Sequence, residues 1–345
     1  MDWIKLNSAV SYYEKPALGK VNPKTRYMAL SIDKSTLKNK LKIGIAREIT
    51  KSQGNVDIPG FIDESKLVIV SSSDLMSWKK VNDLKIKNID RIIAKISSKD
   101  KYFIGLEDPD IWQEGKIKHV YFTIAFKYKS EHGYAVYLGH AQGKSIESLT
   151  ATLPVLQPIK SEKIDGFKEV AISPIKTKEG RFILSEVEIK MKNNDWSAIA
   201  VSKASKMSGK WQFLKILLNP HELKYNWCKG HLSPCCFLSS SSSPNNNLLV
   251  GIINGRQPSK IINNKKIYRK FRPGLILFNP HTGEIPWISP TPLFEDPQAT
   301  TITFASDFIE LSSNKGLLYC HVNDSFIRAY KLNLKEIKKC LLNSL

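Results

Sequence analysis

KLVIVSSSDLMSWKKV (Lys66–Val81) reads as a strand of small and β-branched residues, a Ser/Asp corner, and an outgoing segment with a tryptophan just past the corner. The same order of strand, turn and outgoing segment recurs in AVYLGHAQGKSIESL (Ala135–Leu149) and SAIAVSKASKMSGKWQFL (Ser197–Leu214). The corners lie roughly sixty residues apart, which suits four-stranded units with elaborated loops. Two further units follow, NLLVGIING with YRKFRPGLILFNPHTGEIPW (within Asn247–Trp287) and TTITFASDFIEL with NKGLLYCHVNDSFIRAYKL (Thr300–Leu332). Five such units predict an all-β fold, a five-bladed β-propeller. The expected organisation is one domain over residues 1–345, with 1–40 as an N-terminal extension and 333–345 as a C-terminal tail. Helical periodicity is confined largely to that tail, LNLKEIKKCLLNSL. Trp78 and Trp211, which follow two of the corners, are expected in blade cores. SSSSSPNNN (Ser239–Asn247) is expected as a surface loop, because strand patterns resume on either side.

The composition is that of a globular chain, 42% hydrophobic and 24% charged. Its net charge of +20 comes from 52 Lys and Arg against 32 Asp and Glu. The excess is spread along the chain, and its densest runs are short, such as Ile261–Arg272 with Lys265, Lys266, Arg269, Lys270 and Arg272. No helix-turn-helix, zinc-finger or RNP-type pattern accompanies it, so a solvated Lys-rich surface is expected, with an anionic partner left open. The five cysteines, Cys228, Cys235, Cys236, Cys320 and Cys340, lack C-x-x-C spacing and fit a reducing compartment. No apolar run has the length of a signal peptide or a membrane span, so a cytoplasmic protein without a membrane partner is expected. His119, His132, His140 and His321 show no metal-ligand spacing. No P-loop, dinucleotide fingerprint or nucleophile elbow appears, so neither metal nor cofactor is expected.

YFIGLEDPDIWQEGKIKHVYFTIAF (Tyr102–Phe126) carries the chemistry. An apolar strand leads into Glu107-Asp108-Pro109-Asp110, and a second strand follows a QEGK turn. Pro109 disfavours helix at Asp108, so the acidic cluster is expected in extended backbone at a strand end. In a propeller the innermost strands line a central channel. Crowded carboxyls raise one another's pKa, which lets one of them serve as an acid near neutral pH.

These residues resemble the EDPR signature of glycoside hydrolase family 130, the mannoside phosphorylases and related β-mannosidases, which are five-bladed propellers. The resemblance continues in order from about residue 40 to the end. IGIARE (Ile43–Glu48) is similar to the first-blade strand that carries a substrate- or phosphate-contacting arginine, which implies that role for Arg47. FKEVAISP (Phe167–Pro174) resembles NKD-x-x-x-FP, with Lys168 at the lysine. WCKGHLSP (Trp227–Pro234) resembles W-x-x-K-x-G-x-G-x-P, with Lys229 at the phosphate-side lysine and His231 near it. HVNDSFIRAYKL (His321–Leu332) resembles the closing strand, with Asp324 at the substrate-binding aspartate. The resemblance implies Asp108 as catalytic acid, with Glu107 beside it in the substrate site.

The departures point away from phosphate. The residue after EDP is Asp110 instead of arginine. FILSEVEIK places Glu186 and Glu188 where a phosphate-holding arginine belongs, and IING places Asn254 at or near a phosphate-binding histidine. A phosphate site needs convergent cations. Two glutamates suit water instead, because an inverting glycosidase pairs an acid with a carboxylate base. Glu186 and Glu188 share one face of an alternating strand, so either is the candidate base. The expected function is inverting hydrolysis of β-mannosides in an oligosaccharide or glycoside. The alternatives are a mannoside phosphorylase using inorganic phosphate, a mannosyltransferase of the same fold, and a non-catalytic carbohydrate- or nucleic-acid-binding propeller.

Overall fold

The computed structural model describes residues 8–21, 23–56, 58–129, 133–189, 196–238 and 247–342. Five four-stranded antiparallel sheets follow one another along the chain. Blade one comprises Arg26–Ile32, Lys42–Gln53, Ile62–Ser72 and Lys79–Asp83, from the centre outward. Blade two comprises Lys101–Glu114, Ile117–Tyr128, Tyr134–Gly143 and Thr150–Ala151. Blade three comprises Ile164–Thr177, Gly180–Ile189, Trp196–Ala204 and Gln212–Leu218. Blade four comprises His231–Phe237, Leu249–Arg256, Phe271–Phe278 and Trp287–Ile288. Blade five comprises Thr303–Ser312, Lys315–Val322 and Phe326–Asn333, with Val10–Tyr12 as its outermost strand.

The strands read as unbroken apolar runs because each sheet is covered on both faces. In blade one, Leu67 and Ile69 pack towards blade two, while Val68 and Val70 pack towards blade five. Five such cores fill the five gaps between neighbouring blades, the gap from blade five back to blade one included. The chain is a closed five-bladed propeller. Trp78 and Trp211 are core residues, at 3% and 1% exposure, and Trp211 lies 4.8 Å from the Tyr121 ring across the gap between blades two and three. The strand–corner units read from the sequence as Lys66–Val81 and Ser197–Leu214 are the connections from third to fourth strand.

Blades two and three dock onto the preceding blade at single points, Gly105 against Ser65 and Gly166 against Val136. A Cβ at Gly166 would stand 1.8 Å from the Val136 carbonyl oxygen, so this junction admits only glycine.

Two expectations are corrected. The expected N-terminal extension over residues 1–40 contains blade strands, because Val10–Tyr12 pairs with Tyr330–Leu332 to complete blade five and Arg26–Ile32 is the inner strand of blade one. The C-terminal tail forms the helix that its periodicity predicts, Leu334–Leu342, with Leu334, Ile337 and Leu341 buried. A second helix, Ile89–Ile96, leads from blade one to blade two, and Ile89, Ile92, Ile93 and Ile96 rest on the core there. Residues 239–246 of the expected surface loop, and His132, lie outside the described residues. Among the described residues no helix is long and apolar enough to cross a membrane.

Candidate active site

Every inner strand has a register break facing the centre, between Met28 and Ser31, Glu107 and Asp110, Lys168 and Val170, Pro234 and Cys236, and Ala305 and Asp307. Such bulges re-aim side chains. Ala29, Asp108 and Glu169 occupy three of them in the left-handed region, at φ of 46° for Asp108 and 44° for Glu169. The extended backbone expected at Asp108 is therefore corrected, since the bulge overrides the local preference set by Pro109. Left-handed residues other than glycine cost energy and gather at functional sites. Asp108, Asp110 and Glu169 line a central cavity of about 30 Å³, room for about one water molecule, together with Ala29, Pro234 and Phe304. A larger open groove of about 610 Å³ lies at the outer edge of blade one, lined by Lys80, Asp83, Lys85 and Glu147, away from these groups.

Two ion-pair clusters flank the cavity. Arg47 forks between Glu107 at 2.6 Å and Asp108 at 3.2 Å. Burial pushes Glu107 up to about 7 against the pull of Arg47, and Asp108 adds to the rise. Lys168 bridges Glu186 at 3.1 Å and Glu188 at 2.8 Å. Burial opposes its charge, yet these two glutamates hold Lys168 protonated well above the ordinary lysine range. Burial likewise opposes ionisation of Glu186, but Lys168 and His231 hold it below the usual carboxylate range. His231, lowered by burial, is the neutral partner and donates from Nε2 to Glu186 at 2.8 Å. Glu169 shares the upward shift of Glu107 but belongs to neither ion-pair cluster. Burial pushes it well above the carboxylate range, as do Asp108 and Glu186, and its carboxyl accepts a 2.5 Å hydrogen bond from the Ser233 hydroxyl.

Of the residues singled out in the sequence, Arg47, Glu107 and Asp108 form one cluster, and Lys168, Glu186, Glu188 and His231 form the second. The clusters lie within electrostatic reach of each other through Glu107 and Lys168. Asp324, on a tight turn of blade five, lies within reach of Arg47 and 3.4 Å from His321, and its buried Oδ1 has no hydrogen-bond partner. Lys229 is partly buried and makes no ion pair among the described residues. Asn254 is wholly buried, and its amide is spent on both backbone groups of Ala305, at 2.7 and 2.9 Å. It therefore joins blades four and five, which corrects its expected place among the substrate contacts. Glu186, with 1% of its side chain exposed, is fully engaged, whereas Glu188 keeps 23%. Neither lines the central cavity.

Sequence reasoning passed over Glu169. The signal was present: Gly166-Phe167-Lys168-Glu169 repeats the spacing of Gly105-Leu106-Glu107-Asp108, and both segments run from an inter-blade glycine to a bulge. Among the described residues no group of three His, Cys, Asp or Glu side chains could hold a metal ion.

No family model matches the chain, and no curated protein matches it in sequence. Solved structures do match. A β-1,2-mannobiose phosphorylase from Listeria innocua, in complex with β-1,2-mannobiose, superposes with a TM-score of 0.66 at 14% identity, covering 97% of this chain and 99% of that one. This chain has the mannoside phosphorylase fold. A structure described under the GH130 family of mannoside phosphorylases, which contains glycoside hydrolases targeting β-1,2 mannosidic linkages in Candida mannan, gives 0.67 at 13% identity, covering 94% of both chains. A mannose phosphorylase from Leishmania mexicana, in complex with phosphate, gives 0.56 at 14%, covering 95% of this chain and 91% of its own.

Proposed function

We propose that the chain is a carbohydrate-active enzyme that cleaves β-mannosides by inverting attack of water. The observation that carries this reading is the balance of charge beside the channel. Among the described residues Glu107, Asp108, Glu186 and Glu188 pair with two strong cations, Arg47 and Lys168, each already claimed by two carboxyls, and Glu169 adds a fifth carboxyl. An incoming phosphate would meet like charge, whereas water would meet bases and acids. Solved neighbours of the same fold process mannosides, and one holds phosphate.

In this reading Asp108, aimed into the channel by its bulge, protonates the glycosidic oxygen as the bond from the anomeric carbon breaks. Glu169 enters the reaction protonated and adds no negative charge next to Asp108. Glu188, the more accessible of the paired glutamates, takes a proton from the attacking water. Glu186 is the positioning residue, holding Lys168 and His231. Asp324 Oδ1, 3.4 Å from His321 Nε2 but without a hydrogen bond, is an acceptor that a sugar hydroxyl satisfies. Cys228, Cys235, Cys236 and Cys320 form no disulfide, which fits a reducing compartment.

Asp108→Asn keeps the shape and removes the transferable proton, so kcat on β-manno-oligosaccharides should fall about 10²–10⁴-fold with the melting temperature intact. A variant that turns over at the wild-type rate would overturn the assignment.

A further inference from the structure

Arg256 to Arg272 carry seven Lys and Arg and no Asp or Glu. The segment includes a small hairpin, Lys260–Ile262 paired with Lys265–Ile267, turned by Asn263 and Asn264, both at positive φ as a two-residue turn requires. Ile261 is 69% exposed, and Lys260 and Lys265 are exposed beside it. At the root of this insert Arg256 lies opposite His231 on one neighbouring strand and Phe271 on the other, so the three side chains share a face. The Arg256 guanidinium sits 4.1 Å from the Tyr268 ring centroid and 5.1 Å from that of Phe271. Phe271 in turn packs against the His231 ring at 4.9 Å, which ties this group to the Glu186 cluster.

Arg256 makes no ion pair among the described residues, and its buried Nε has no hydrogen-bond partner. The carboxylates within electrostatic reach are Glu186 and Glu188, and both are already held by Lys168. A largely buried guanidinium without a counter-ion is costly, and its planar fork matches a carboxylate or phosphate group. Aromatic rings fix its plane without neutralising it.

We propose that the substrate is an anionic saccharide, whose sugar-borne carboxylate or phosphate ester docks on Arg256 beside Tyr268 and Phe271. The Lys260–Ile267 hairpin draws the charged chain towards the channel. This rests on the glycoside-cleaving reading and adds the substrate's charge. A free phosphate ion is the less suitable occupant, since the cationic stretch runs outward along an exposed hairpin, as neighbouring charges on a chain would.

The test is titration calorimetry on the intact protein at low salt with β-1,2-mannobiose, a β-linked mannuronate oligosaccharide, mannose 6-phosphate and inorganic phosphate. At least one charged saccharide should bind about ten-fold or more tightly than mannobiose, with the advantage shrinking as salt screens it. Arg256→Gln should remove that advantage and leave mannobiose binding unchanged, while Arg256→Lys should keep part of it. Lys260→Ala combined with Lys265→Ala, at exposed positions, should weaken the charged ligand about three-fold through the field alone, whether or not the Arg256 variant folds. Equal affinity for charged and neutral sugars, or a preference that survives Arg256→Gln, would overturn the proposal. So would inorganic phosphate binding as tightly as the charged sugar and competing with it. If no saccharide binds at all, charged or neutral, the glycoside reading itself fails.

Discussion

The flanks of the channel on blades one to three and the rim on blade four use charge in opposite ways. On the first, Arg47 and Lys168 are each locked between two carboxyls, and a further carboxyl, Glu169, is held in its neutral form. On the second, Arg256 lies against aromatic rings with no ion pair among the described residues, and two exposed lysines ride on a hairpin without acids. A net charge of +20 gives no hint of this division. The hairpin on blade four carries lysines without acids, while the chemistry is set in a local excess of acid. Tightly paired groups suit proton transfer, which needs fixed geometry, and unpaired cations suit recognition of a mobile anion.

If the division is right, substitutions in the two regions should differ in kind. The largest effect belongs to the paired glutamates. Glu188→Gln should lower kcat by about 10²–10⁴-fold, the range for loss of a general base. Glu186→Gln should cost far less in rate and show instead as a shifted pH profile, because it changes the Lys168 and His231 environment. Equal losses from both would erase the distinction between base and positioning residue.

Next in size is the structural cost of breaking a paired cation. Lys168→Met leaves Glu186 and Glu188 without their shared cation and should destabilise the fold by about 3–5 kcal/mol in chemical unfolding. Lys260→Ala, on the hairpin, should stay within about 0.5 kcal/mol of wild type. Comparable losses at both positions would show that the rim is no less coupled than the acid wall.

Smaller still is a pH effect at Asp110, which burial and the nearby Asp307 push up to about 7. A carboxyl with a raised folded-state pKa stabilises the fold below its unfolded pKa, near 3.9, and loses that contribution as pH climbs through about 7. Asp110→Asn should therefore match wild type near pH 4 and melt a few degrees higher at pH 8. A variant whose advantage is the same at both pH values would show that Asp110 does not titrate in that window.

The blades were legible in the sequence because both faces of each sheet are covered, so runs such as KLVIV needed no polar alternation. Closure was harder to read. Val10–Tyr12 is three residues long and pairs with a strand more than three hundred residues away, so nothing local marks it. The helix Ile89–Ile96 spans only two turns and passed unnoticed among strand-forming isoleucines. At the site, Arg47, Asp108 and Lys168 could be picked out by motif. Glu169 carries no motif of its own and is marked only by the spacing that Gly166–Glu169 shares with Gly105–Asp108, because a single left-handed glutamate leaves no trace in composition. Asn254 was misplaced for a related reason: along a strand, a residue that serves the neighbouring blade looks the same as one that faces the channel.

The measurement that tests the account most directly is proton NMR of the products formed from β-1,2-mannobiose and from a charged β-mannoside, each with and without inorganic phosphate. The account predicts a free sugar released first as the α-anomer, at a rate that phosphate does not change. Sugar 1-phosphate formed only when phosphate is present would contradict it, and would reassign the carboxyl-rich wall to a phosphorylase.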